Sequence, residues 1–73
     1  MESKEDRIMK KNYAVVLDAK HPVTKYLEVH TDSFEEVDQL VNQWVWNYSS
    51  GRIVVWKKEG DEEKEIKNII LVK

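Results

Sequence analysis

Between Ser33 and Tyr48 the chain reads S-F-E-E-V-D-Q-L-V-N-Q-W-V-W-N-Y. Phe34, Val37, Leu40, Val41, Trp44, Val45 and Tyr48 recur there at the i, i+3, i+4, i+7 spacing of one helix face. Everything around this stretch alternates as strands do, so one helix has to organise a small sheet. Ser33 is placed to cap the first turn, with Glu36 three residues on as its capping-box partner. Glu35, Glu36 and Asp38 put negative charge where the helix dipole is positive. Ser49-Ser50-Gly51 ends the run, with Gly51 expected in the left-handed conformation common just past a helix.

Trp46 falls outside the apolar stripe. At about 100° per residue it lies among Glu35, Gln39, Asn42 and Gln43 and should point to solvent. Two readings stay open: the last turn tightens and swings the ring back over an edge of the core, or Trp46 is an exposed contact anchor.

Four strand-like segments flank the helix. Tyr13 to Asp18 is rich in β-branched and aromatic residues. His21-Pro22 marks the bend, expected over Ala19 to Val23, because proline cannot donate to a ladder and extends the residue before it. Thr24 to Thr31 alternates, with Leu27 and Val29 on one face and Tyr26, Glu28 and His30 on the other. Arg52 to Lys58 and Glu65 to Val72 follow the helix, joined by a polar turn over Glu59 to Glu63 with Gly60-Asp61 at its tip, a loop expected to exceed the two-residue type. Met1 to Asn12 is a mixed-charge arm in which a short helix can start at Ser3, and residues 13–73 form a single domain. The expected fold is therefore α+β, a two-layer sandwich in ββαββ order with one helix on a mainly antiparallel four-stranded sheet. Strand order is left open.

One helix covers one face, yet strands one, three and four carry apolar residues on both: Val15 and Leu17 against Ala14 and Val16, Ile53 and Val55 against Val54 and Trp56, Ile69 and Leu71 against Ile70 and Val72. A solvated sheet face reads polar at alternate positions, whereas near-continuous apolar runs mark strands covered on both sides. Something is expected to cover the second face.

Size sharpens that expectation. A chain of 73 residues makes one domain, whose core rarely supplies more than about 3–5 kcal/mol. With no cysteine, disulfides and thiolate zinc sites cannot add to it, and self-association is the remaining common support. Absence of cysteine also fits a reducing, cytoplasmic setting. No apolar run is long enough for a membrane span or the core of a signal peptide. The net charge of −2 is wrong for a general nucleic-acid binder, which is usually basic.

Catalytic chemistry finds few candidates. His30 beside Glu28 and Tyr26 can be drawn as a general base, but without a nucleophile it reads as a surface histidine of a strand. His21, His30 and Asp32 lack metal-ligand spacing. The acidic turn from Glu59 to Glu65 lacks a calcium-loop pattern, and two glycines, Gly51 and Gly60, make no phosphate-cradling loop.

The expected function is a small non-enzymatic protein-interaction module, self-associating as a homodimer or docking on a protein partner through the open sheet face. Trp46, Trp56, Val54, Val16, Ile70 and Tyr26 are its candidate contact residues, with no cofactor, metal, membrane or small-molecule substrate. A one-residue register shift would exchange the exposed strand set. The alternative is a small nucleic-acid-binding regulator in which Tyr26 and Trp56 stack unpaired bases while Lys57 and Lys58 follow the backbone.

Overall fold

The computed structural model describes residues 10–72. Strand β1 (Tyr13–His21) turns into β2 (Lys25–Thr31), helix α1 (Phe34–Asn47) follows, and β3 (Ser50–Glu59) and β4 (Glu62–Leu71) close the chain. They form one antiparallel sheet in the order β2-β1-β3-β4. Because β1 is antiparallel to both neighbours, β2 and β3 run in the same direction on either side of it. The helix that joins them must cross over β1, and it packs on β1 and β2. The ββαββ order and the two-layer α+β arrangement are those expected from the sequence. The charged arm and the short helix at Ser3 fall mostly on residues 1–9, outside the described residues. Asn12, assigned to the arm, is bonded on both sides: its N–H donates to Asp32 Oδ1 at 2.9 Å and its carbonyl accepts from Lys58 N at 2.8 Å.

Strand alternation sorts the residues into two layers. Val15, Leu17 and Ala19 of β1, Ile53 and Val55 of β3 and Leu71 of β4 pack with Val37, Val41 and Trp44 of the helix into one core. Leu17, Ile53, Val15 and Val55 are the largest fully buried side chains, each stabilising by about 1.5–3 kcal/mol relative to exposure. Phe34, counted on the apolar stripe, is half exposed and meets Tyr13 with ring centroids 5.6 Å apart. It sits at the first helical position, where the stripe has run off the sheet.

Four local expectations are corrected. Ser33 does cap the helix, accepting from Glu36 N at 3.2 Å, but the Glu36 carboxylate does not return to the Ser33 amide. Thr31 intervenes: its Oγ1 takes the Ser33 N–H at 3.0 Å and donates to Glu36 Oε1 at 2.6 Å. Gly51 is not a helix cap. Tyr48 caps the helix in extended conformation, its N–H donating to the Trp44 carbonyl, while Gly51 lies inside β3 with φ +138°, pressed against Asp18 and Ala19 of β1. Strand β1 continues to His21, so the bend is only Pro22 to Thr24. It persists because Ser49 N–H donates to the His21 carbonyl at 2.9 Å and Ser49 Oγ lies 2.8 Å from His21 Nδ1. Finally, Glu59 pairs with Glu62, leaving Gly60-Asp61 as a two-residue turn. Gly60 has φ +62° and no described non-glycine residue has positive φ, the pattern of a type II′ hairpin with glycine first.

Candidate interaction surface

The face turned away from the helix is set by pairing register. Across β2-β1-β3-β4 it reads His30–Ala14–Trp56–Glu65, then Glu28–Val16–Val54–Asn68, then Tyr26–Asp18–Arg52–Ile70. The centre, on the two inner strands, is Ala14, Val16, Val54 and Trp56. Ala14 is only 3% exposed although the described helix lies on the other face of the sheet. Its register neighbours Trp56 and His30 flank it, and Val16, Val54 and Trp56 are themselves half-buried. Around this apolar centre stand Glu28, His30, Asp18, Arg52, Asn68 and Glu65.

The rim is organised on the β2 side. His30 Nε2 lies 2.7 Å from Glu28 Oε2, and Tyr26 Oη donates to Glu28 Oε1 at 3.4 Å. Slight desolvation and then the neighbouring Glu28 carboxylate hold the Tyr26 phenol above its ordinary value of 10.0. Lys20 Nζ is 3.5 Å from Asp18 Oδ1. At this end of the face a depression of about 260 Å³ is lined by Asp18, Lys20, Gly51, Arg52 and Ile70.

Among the residues picked out from sequence, Val16, Val54, Trp56, Ile70 and Tyr26 share this open face. Val16 and Val54 are direct partners in register, while Ile70 and Tyr26 sit at opposite edges of the outermost of these rows, both well exposed. Trp46 is not with them. It projects from the last turn of the helix, on the far side of the molecule, and is 83% exposed, so the last turn does not fold its ring back onto the core. The four residues assigned to nucleic acid are also split: Lys57 pairs with Tyr13 and lies on the helix side, whereas Trp56 and Lys58 alternate to the other face.

Sequence reading set Ala14 on the second face without naming it a contact residue, and missed Arg52 and Asp18 as members of the surface. The signal was available in the alternation of β1 and β3, but the charged pair drew no notice beside the aliphatic residues. No three His, Cys, Asp or Glu side chains gather for a metal among the described residues. The His21–Ser49 contact joins two residues already tied through their main chains and acts as a clasp between β1 and the entry to β3. No described helix is long and apolar enough to cross a membrane. Compared with known protein families, curated proteins and solved structures, the chain matches none.

Proposed function

We propose that this chain is a non-enzymatic interaction module that docks a protein partner on the open face of its sheet. The observation that carries the reading is the Ala14–Val16–Val54–Trp56 centre at adjoining register positions, ringed by Glu28, His30, Asp18, Arg52, Asn68 and Glu65. An apolar centre depleted of charge, an aromatic within it and a polar rim are the anatomy of a partner-binding patch. The stacking reading has weaker support, since Lys57 lies on the other face and Glu28, Asp18 and Glu65 would oppose phosphate.

The test compares the wild-type chain with Val54→Lys as bait, with circular dichroism to establish that both are folded. Wild type is expected to retain a protein that Val54→Lys loses. In parallel, the tryptophan fluorescence is titrated with single-stranded oligonucleotide at low and high salt. Equal capture by both baits, or strong salt-dependent quenching by the oligonucleotide, overturns the proposal.

A further inference from the structure

Strand β4 is an edge. Among the described strands it pairs with β3 alone, so its outward main-chain donors and acceptors have no described strand beside them, a template for another chain. The opposite edge, β2, is guarded along its length by Lys25, Glu28 and His30. On β4 the guards are unevenly placed. Lys64, Lys67 and a bulge at Ile66, where the register slips between Val55 and Trp56, all precede Asn68. From Asn68 to Val72 the edge carries no charge, and Ile70 and Val72 are 54% and 77% exposed.

The occupant that fits this edge is a second copy. In an antiparallel pair made by a two-fold axis normal to the sheet, one residue faces its own copy, and residues equally spaced before and after it face one another. Centring the axis on Glu62, Glu63, Lys64, Glu65 or Lys67 sets like charge on like charge, which is destabilising. Centring on Ile66 uses the bulge and puts Glu63 against Ile69 and Glu62 against Ile70. Centring on Asn68 or Ile69 brings Lys67 opposite Ile69 or Leu71. On Ile70 the pairs are Ile70 with itself, Ile69 with Leu71 on the helix side, and Asn68 with Val72 on the open side. Uncharged residues then meet over five positions, and the one like-charge pair of this register, Lys67 with Lys73, falls outside them, with Lys73 beyond the Leu71 end of β4.

We infer that the chain self-associates through antiparallel β4–β4 pairing centred on Ile70. The product is a continuous eight-stranded sheet with both helices on one side and both open faces side by side on the other. It uses the edge rather than the apolar centre at Val16 and Val54, so it can fail without the docking reading failing, and the reverse.

Because the chain has no cysteine, single-cysteine variants of the full chain test the register directly. Ile70→Cys faces itself and is expected to cross-link under mild oxidation, whereas Val54→Cys is not. In light scattering the wild-type mass should climb from 8.7 kDa toward twice that value. The rise is expected between about 10 and about 500 µM, since five paired positions fall well short of the roughly 20–30 residues a side of a standard stable interface. Ile70→Lys should hold the mass at the lower value. If Ile70→Cys does not fold, the doubly substituted Asn68→Cys, Val72→Cys chain reports the same register, because the two exposed positions face each other across the axis. A single monomer mass throughout, or cross-linking through position 54 in place of position 70, overturns the inference.

Discussion

Thr31 and Glu36 bond directly, Oγ1 to Oε1 at 2.6 Å, which ties the end of β2 to the first turn of the helix. Thr31 is buried, and its hydroxyl also accepts the Ser33 N–H. One side chain thus satisfies the amide that a capping box would otherwise leave to Glu36. Thr31→Val keeps the shape and removes both bonds. With a hydrogen bond to a charged group worth about 1.5–3 kcal/mol and an unsatisfied buried group costing about 1–3 kcal/mol, urea unfolding should shift to a lower midpoint by about 2 kcal/mol of stability. The slope should not change. A variant as stable as wild type would show that the relay adds nothing.

Gly51 is the point of closest approach between β3 and β1. A Cβ there would collide with the Asp18 carbonyl oxygen and the Ala19 Cα, both main chain and unable to swing aside, and φ +138° suits glycine alone. Gly51→Ala is expected to cost more than about 3 kcal/mol, from roughly 1–3 kcal/mol each of backbone strain and overpacking. Against the stability of so small a domain that is most or all of it. Gly60→Ala is the control: at φ +62° with open space around it, it should cost about 1–2 kcal/mol. Thermal melts that place Gly51→Ala level with Gly60→Ala would refute the steric account.

Residue by residue, the sequence was legible where one period ruled and opaque where distant strands met. The 3.6-residue spacing of Val37, Val41 and Trp44 picks out the buried helix face, and the same wheel puts Trp46 in solvent, where it is found. The alternation of Val15, Leu17, Ile53 and Val55 against Val16, Val54 and Trp56 names the two sheet layers. What it lacks is strand order, and with it the fact that Ala14 stands in register between Trp56 and His30 of the strands on either side. Gly51 is misread for the same reason. Nearness to the helix end suggests a cap, while the cause of its positive φ is a strand more than thirty residues away in the chain. Lys57 and Lys58 look like one basic patch until strand pairing sends them to opposite faces.

Tyr26 offers a check on the rim. Its phenol is held above 10.0 first by desolvation and then by the Glu28 carboxylate. A group whose folded value exceeds its unfolded one contributes its stability below the unfolded value and loses it as pH rises through the folded value. The window is therefore alkaline, above pH 10, and the effect on stability is small because the ring is largely exposed. The ring-proton shifts of Tyr26 followed by NMR should titrate above the ordinary tyrosine value, and Glu28→Gln should bring the midpoint down part of the way, leaving the desolvation share. A midpoint that does not move in Glu28→Gln would remove Glu28 from the rim network.

The two tryptophans of the last helical turns separate stability from recognition. Trp44 is buried in the core and Trp46, two residues on, is 83% exposed. Truncating a buried tryptophan costs about 3–5 kcal/mol, so Trp44→Ala should unfold the chain or nearly so. Trp46→Ala touches no packing and should stay within about 0.5 kcal/mol of wild type, as surface substitutions do. That neutrality gives Trp46 a use as a probe: it lies across the sheet from Val16 and Val54, so a partner seated on the open face leaves it accessible. Hydroxyl-radical labelling of Trp46, read by tandem mass spectrometry in the wild-type chain, should be the same with and without the partner retained by the wild-type bait. Protection of Trp46 on binding would move the docking surface from the sheet to the helix.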